Sequence, residues 1–136
     1  MKVLIDSDVL LDIALNRRPF VDESVLAFDA LIKQSAQVYY TPIILANIIY
    51  IVQKHKNRIV AQRFMQYALE LGDVLPVSKS TFLDSFKLNR NDLEDGIQLQ
   101  AAIQNEVSLI LTRNKRDYRN KQIPALSPEE YLFEFG

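Results

Sequence analysis

The residues in this sequence that are best suited to chemistry are acids, and they occur in three separated segments. The chain has no Cys and one His, which excludes thiolate zinc sites, thiol nucleophiles and histidine relays. Clustered carboxylates repel one another unless a cation lies among them, and an all-oxygen set suits Mg²⁺ or Mn²⁺. Such an ion polarises a phosphoryl oxygen and activates water, which is the chemistry of phosphodiester hydrolysis. The candidate acids are Asp6, Asp8, Asp92, Glu94, Asp95 and Asp117.

Short apolar runs predict the strands that would bring these acids together. Strands are predicted at residues 3–5, 38–40, 74–75 and 109–111, with an edge strand within 123–126. Helical patterns fill the intervals, and the almost entirely apolar segment 43–52 predicts a buried helix. This alternation predicts an α/β protein: a three-layer α/β/α domain over residues 1–136 with a central parallel sheet of four or five strands.

The predicted topology places the acids at one edge of that sheet. Ligands of open parallel sheets bind at the carboxyl ends of the strands, and Asp6 ends the first strand. A crossover helix begins at the same edge, and an Asn91–Glu94 capping box predicts a helix whose first turns carry Asp95. Asp117 follows the strand at 109–111. Acids that are distant in the sequence are therefore expected to converge.

Simpler roles are also open to several acids. Asp92 and Glu94 could stabilise the helix N-terminus, and for Glu94 this is the preferred interpretation. Asp12 is expected to be an ordinary surface acid of the first helix. Asp117 alone would be read as one half of a surface ion pair. Asp6 is different, because an acid that closes a buried strand costs free energy unless it has a partner.

Basic residues surround the last acid, although the chain as a whole has 16 basic and 17 acidic residues. A basic loop beside a carboxylate site suits a substrate with a phosphate backbone. Tyr118 in this loop either offers a stacking face to a single-stranded base or packs inward. The predicted nucleic-acid-binding residues are Arg113, Lys115, Arg116 and Arg119.

Three segments carry the acids: KVLIDSDVLLDIALNRRPF, NDLEDGIQLQAAIQN and LILTRNKRDYRNKQIPALSPEEYL. Together they resemble the PIN domain, the metal-dependent nuclease fold of VapC-type toxins, and they follow the family's order along nearly the whole chain. The first segment has D-S-D-V-L-L-D where D-T-N-V-L-L-D is usual in the family. The resemblance implies an endoribonuclease that uses Mg²⁺ or Mn²⁺, with RNA as substrate and an antitoxin protein as a possible partner.

The resemblance also assigns roles to individual residues. It implies that the catalytic acids and main metal ligands are Asp6, Asp95 and Asp117. Asp92 resembles an auxiliary acid, and Asp8 stands where the family more often has Asn, which could add a carboxylate to the metal. Thr112 resembles the small hydroxyl residue at the end of the family's strand.

One position departs from the family pattern. Members usually carry a Glu on the helix after the second strand, and this chain has Asn47 there. An amide oxygen can still bind a metal or orient a water, but it carries no charge and cannot act as a base. Activity could therefore be reduced, could depend on Asp8 or Asp92 instead, or could be absent.

Two other functions remain open on these grounds. One is a PIN-fold module that binds nucleic acid or protein after losing catalysis. The other, less favoured, is an aspartyl-nucleophile phosphatase, because VLIDSD also resembles the start of haloacid-dehalogenase enzymes but no convincing late Asp pair follows. The apolar helix around residues 48–52 favours a possible homodimer. Acids interrupt every apolar run near the N-terminus, so a cytoplasmic protein without a membrane segment is expected.

Overall fold

The computed structural model describes residues 1–136 and contains a five-stranded parallel sheet with helices on both faces. The strands are β1 (Lys2–Ile5), β2 (Gln37–Tyr40), β3 (Asp73–Val74), β4 (Leu109–Leu111) and β5 (Ala125–Leu126). The helices are α1 (Ser7–Ala14), α2 (Val21–Lys33), α3 (Pro42–His55), α4 (Arg58–Leu71), α5 (Lys79–Ser85), α6 (Leu93–Gln104) and α7 (Pro128–Phe135). Short 3₁₀ turns span Phe86–Leu88 and Lys115–Tyr118. The predicted three-layer α/β architecture is confirmed.

Strand β1 lies at the centre of the sheet, in the order β3-β2-β1-β4-β5. Its neighbours β2 and β4 both run parallel to it, with Val3 opposite Leu109 and Ile5 opposite Leu111. Residues 3–5 and 109–111 are fully buried, as expected for strands covered on both faces. Because of this register, the residues that follow β1 and β4 emerge side by side at the carboxyl edge.

Strand β3 and helix α5 differ from the predicted elements. Strand β3 begins one residue earlier than predicted, at Asp73, and the Leu75 N–H still donates to the Tyr40 carbonyl at 2.8 Å. The short helix α5 was not predicted, because it spans only two turns and has no sustained apolar period.

Helix α3 is not buried on all sides, so this prediction was wrong. It buries one face through Ile44, Ile48 and Val52, whose spacing of four residues matches the helical period. Ile49 and Tyr50 face outward, and Tyr50 is 66% exposed. The helix lies in an outer layer between α1 and α4, so only the face that meets those neighbours and the sheet is covered.

The predicted capping box at the start of α6 was also wrong. The helix begins at Leu93, and its N-cap is Asp92, whose backbone is extended. The Asp92 carboxylate accepts a hydrogen bond from the Asp95 N–H at 3.1 Å. An Asp at this position satisfies one of the free N–H groups of the first turn, so Asn91 and Glu94 are not needed for capping.

None of the helices combines the length and the hydrophobicity that crossing a lipid bilayer would require.

Candidate active site

Asp6 lies at the centre of the acidic edge and is held rigidly. Its Oδ1 accepts a hydrogen bond from the Ser7 N–H at 2.8 Å, and its Oδ2 accepts one from the Thr112 hydroxyl at 2.8 Å. Thr112 Oγ1 in turn accepts from the Asn114 N–H at 3.0 Å, which fixes the hydroxyl. Burial raises the pKa of Asp6, and the nearby charge of Asp117 adds to this effect. The parallel pairing of β1 with β4 therefore places Thr112 directly against Asp6.

Asp8 is in the first turn of α1 and belongs to the same edge. Its Oδ1 accepts from the Val9 N–H at 2.7 Å, and its Oδ2 accepts from the Arg113 N–H at 2.9 Å. Burial, followed by the charge of Asp6, raises the pKa of Asp8 to about 6. Asp8 therefore links α1 to the chain that follows β4.

The remaining acids border an open cavity of about 490 Å³ that has no hydrophobic lining residue. We call this the acidic cavity; it is lined by Asn89, Arg90, Asn91, Asp92, Asp95, Arg116 and Asp117. Burial raises the pKa of Asp95 to about 7, with further contributions from the charges of Asp92, Asp117 and Asp6. The charges of Asp6 and Asp117 therefore act on Asp95 at this edge.

The acids are near one another without forming a closed cage. No three acidic side chains approach closely enough in this arrangement to hold a metal ion together. Asn47 is half-buried on α3 and does not line the acidic cavity, and Glu94 is exposed outside the cavity lining. The structure therefore brings five acids to one edge and leaves these two residues apart.

The raised pKa values predict how pH acts on the stability of the protein without a cation. Folded Asp95 keeps its proton up to a pKa of about 7, whereas the ordinary value is 3.8. The folded state therefore binds more protons than the unfolded chain between these values, so stability is present at low pH and is lost as pH rises through 7. Melting curves in EDTA should give a lower Tm at about pH 8 than at about pH 5.5. A higher Tm at about pH 8 than at about pH 5.5 would contradict a raised pKa of Asp95 in the folded state.

The four predicted nucleic-acid-binding residues meet at a second cavity of about 720 Å³. Arg116 lines both cavities, so the basic surface adjoins the acids directly. Lys115 is paired with Glu130 at 2.6 Å, and the guanidinium of Arg113 is bound to an acid beneath it. Arg116 and Arg119 form no ion pair, which leaves their guanidinium groups available to a phosphate backbone.

Asp12 is not a surface acid, so that expectation was wrong. It is 0% exposed and accepts two hydrogen bonds from Arg113, from Nε at 2.8 Å and from Nη2 at 2.9 Å. Arg17 Nε donates at 3.0 Å and the Ser24 hydroxyl at 3.1 Å. The paired donors offset the cost of burying the charge, as an isolated carboxylate could not.

Tyr118 packs inward, so it offers no stacking face to a base. The residue is 1% exposed and belongs to the hydrophobic core. Its hydroxyl is the only buried side-chain polar atom in the chain without a hydrogen-bond partner. Burial raises the pKa of this hydroxyl, and the neighbouring charges of Asp6, Asp95 and Asp8 raise it further.

Sequence reasoning missed three features of this region. Arg90 lines the acidic cavity, and its guanidinium donates to the carbonyl of Arg119. A signal for Arg90 was present, since it lies two residues before the acid that caps α6. The burial of Asp12 and the orientation of the Tyr118 hydroxyl had no comparable signal, because both depend on contacts between distant segments.

The chemistry of the residues present fits a divalent cation, although their carboxylates are not close enough together in this arrangement to enclose one. The donor set consists of oxygen atoms, and burial, followed by repulsion from neighbouring acids, raises the pKa values of Asp8 and Asp95, which a compensating positive charge would offset. The unpaired Tyr118 hydroxyl beside them is a second sign of an incomplete polar network. Asp6, Asp8, Asp95 and Asp117 are the residues that could hold such an ion if their carboxylates were drawn closer together.

Comparisons with known proteins identify the family and the fold of the chain. The family model described as the PIN domain matches residues 2–116. No curated protein sequence shows a significant match to the chain. Three similar solved structures cover most of this chain at low identity, which shows the shared fold alone.

The first of these is VapBC2 from Rickettsia felis bound to a DNA fragment from their promoter, with a TM-score of 0.75 and 17% identity, covering 93% of this chain and 98% of that chain. A toxin–antitoxin complex from Klebsiella pneumoniae has a TM-score of 0.71 and 22% identity, covering 93% and 97% of the two chains. VapBC-1 from nontypeable Haemophilus influenzae has a TM-score of 0.74 and 14% identity, covering 95% and 99%.

Proposed function

Because the chain belongs to the PIN domain family, we propose that it is a nuclease, and specifically an endoribonuclease that uses Mg²⁺ or Mn²⁺. The observation that carries this proposal is the meeting of acids from β1, α6 and the loop after β4 at one edge. Family membership supports a hydrolase in general. The cation and the RNA substrate are inferred from the acids and from the adjoining basic cavity.

The acids at this edge would have different roles. Asp6, Asp95 and Asp117 are the proposed catalytic acids and cation ligands, with Asp8 and Asp92 as auxiliary acids. A bound divalent cation would supply Lewis acidity toward a phosphoryl oxygen and lower the pKa of water. Asp92 already accepts the Asp95 N–H as the cap of α6, so its first task is to fix Asp95.

Neutral and basic residues would position the substrate and the acids. Thr112 keeps Asp6 in one orientation through the hydrogen bond between their side chains. Arg116 and Arg119 would hold the phosphate backbone beside the acids, and Lys115 and Arg113 would add positive charge to the same cavity. Asn47 would contribute at most an amide oxygen, and its position outside the acidic cavity lining gives it a secondary role.

Protein partners follow from the relatives and from the surface. The similar structures include toxin–antitoxin complexes, which supports an antitoxin as partner of a toxin of this type. Exposed Ile49 and Tyr50 on α3 support a homodimer. Light scattering that shows only monomer at working concentration would contradict the proposed homodimer.

We propose that the protein is located in the cytoplasm.

A binding module without catalysis is the second candidate, and two observations favour it. Asn47 replaces the usual Glu, and the acids do not form a closed cage. In that case RNA binding would persist in EDTA and no cleavage would accompany it.

Removal of the cation separates these two functions. Purified protein should cleave single-stranded or structured RNA in Mn²⁺ or Mg²⁺, and EDTA should abolish cleavage because the acids alone cannot activate water. Added Mn²⁺ should restore the activity. Gel analysis of end-labelled RNA measures cleavage, and a filter-binding assay in EDTA measures RNA binding. Binding without cleavage under any ionic condition would favour the module over the nuclease.

A further inference from the structure

Tyr118 is exceptional among the buried tyrosines of this protein. The Tyr40 hydroxyl donates to the Ala68 carbonyl at 2.8 Å, and the Tyr131 hydroxyl donates to Gln34 Oε1 at 2.6 Å. Tyr118 has no such partner, although it is almost as deeply buried as the other two: 1% of Tyr118 is exposed, against 0% of Tyr40 and of Tyr131. A buried hydroxyl without a partner is unfavourable by about 1–3 kcal/mol, so its presence in the core calls for an explanation.

The position of Tyr118 directs its hydroxyl toward the acids. The residue ends the 3₁₀ turn Lys115–Tyr118, directly after Asp117, and this turn packs against α6 and β5. The acids that act electrostatically on its hydroxyl are Asp6, Asp95 and Asp8, with Asp6 the strongest. The Tyr118 hydroxyl is near enough to Asp6 to act on it as a donor that lowers the pKa of the carboxyl, but the two groups fall short of hydrogen-bond geometry in the cation-free arrangement.

The Asp6 carboxylate has capacity for a further donor. Its Oδ1 accepts from the Ser7 N–H and its Oδ2 from the Thr112 hydroxyl, which leaves a second lone pair on each oxygen. A phenol adjacent to three acids acts as a donor, since all of its neighbours are acceptors once they are ionised. If the Asp6 carboxylate moved toward a bound cation, the Tyr118 hydroxyl would therefore already lie beside it as a donor.

We propose that Tyr118 is a positioning residue of the acidic edge, whose hydroxyl donates to the Asp6 carboxylate in the cation-bound protein and holds it there. This inference rests on the proposed cation-dependent function. It assigns the unpaired hydroxyl to a state of the protein in which the acids have been drawn together. The core packing of the ring fixes the hydroxyl in advance, so little conformational entropy is lost when the hydrogen bond forms.

Tyr118→Phe tests the proposal because it removes the hydroxyl and leaves the ring in the core. Calorimetric titration with Mn²⁺ should show affinity lower by roughly tenfold, the size of effect seen when an outer partner of a metal ligand is removed. In EDTA, the variant should melt no lower than the wild type, since it loses no hydrogen bond. Tyr131→Phe is the matched control: it loses a formed hydrogen bond, so it should melt lower and bind Mn²⁺ with unchanged affinity.

The outcomes separate this proposal from the proposed function. If Tyr118→Phe binds Mn²⁺ as tightly as the wild type while Asp6→Asn loses binding, the role of Tyr118 is overturned and the cation site stands. If the wild type itself binds no Mn²⁺, the cation-dependent function is overturned together with the role of Tyr118. A Tyr118→Phe protein that melts well below the wild type in EDTA would show that the hydroxyl stabilises the cation-free core, which also contradicts the proposal.

Discussion

Asp6→Asn is expected to lower the rate of RNA cleavage by about a thousandfold, because an interaction worth several kcal/mol with the cation is lost. The substitution preserves the shape of the side chain and removes its charge. Asp6 directly follows β1 and lies beside the end of β4. The Ser7 N–H and the Thr112 hydroxyl each donate to one of its two carboxylate oxygens. Asp8, the acid nearest to it in the sequence, is itself held by the N–H groups of Val9 and Arg113. Initial rates on a labelled RNA in Mn²⁺ measure the effect.

Asp73→Asn is the matched control for this experiment. Asp73 starts β3 and is exposed, and its carboxylate contacts only the adjacent Val74 N–H, at 3.3 Å. It lies on the edge strand β3, which β2 separates from β1, and it lines neither the acidic cavity nor the basic one. The control should cleave RNA at the wild-type rate. If wild type and Asp6→Asn are equally inactive at high enzyme concentration, the nuclease function is wrong for this chain.

The sheet and its acidic edge could be predicted because they depend on local pattern and one general rule. The apolar runs at 3–5 and 109–111 predict fully buried strands, and the structure confirms both. Parallel strands place their carboxyl ends at one edge, so Asp6 and Asp117 could be expected on the same side of the sheet without further information. The helix N-terminus brought Asp95 to the same edge by the same reasoning.

Other features could not be predicted because they depend on contacts between distant segments. Asp12 looks like a surface acid in the sequence, and only its approach to Arg113, 101 residues away, makes its burial possible. The exposure of Tyr50 depends on which neighbours α3 meets, which an almost entirely apolar pattern does not reveal. Asp92 rather than Asn91 caps α6, and the sequence could not decide between them because Asp and Asn are almost equally favoured at this position.

The buried ion pair of Asp12 predicts the largest effect on stability. Asp12→Asn should lower the free energy of unfolding by about 3 kcal/mol, because a neutral amide leaves Arg113 without its carboxylate partner in a desolvated place. The amide nitrogen would also face donors from Arg113, Arg17 or Ser24 in place of an acceptor. Urea unfolding in EDTA measures this change without interference from cation binding.

Asp22→Asn provides the comparison that isolates burial. Asp22 pairs with Arg18 at 3.2 Å, but the two side chains are 73% and 69% exposed, so this pair should contribute less than about 0.5 kcal/mol. Equal losses from Asp12→Asn and Asp22→Asn would contradict the structural role of the buried pair. Both variants replace one carboxylate oxygen of an Asp side chain with an amide nitrogen. Any difference between their free energies of unfolding therefore reports on the environment of the side chain.

The same pair connects the core to the acidic edge. The Arg113 side chain is fixed by Asp12 and packs over the Phe20 ring, with the guanidinium carbon 3.7 Å from the ring centroid, while its backbone N–H holds Asp8. If Asp12 is lost, the segment after β4 loses the contact that fixes Arg113, and Asp8 loses a fixed donor. Asp12→Asn should therefore also weaken Mn²⁺ binding under conditions where the variant remains folded. Unchanged Mn²⁺ affinity in the folded variant would show that the buried pair stabilises the fold without positioning the acids.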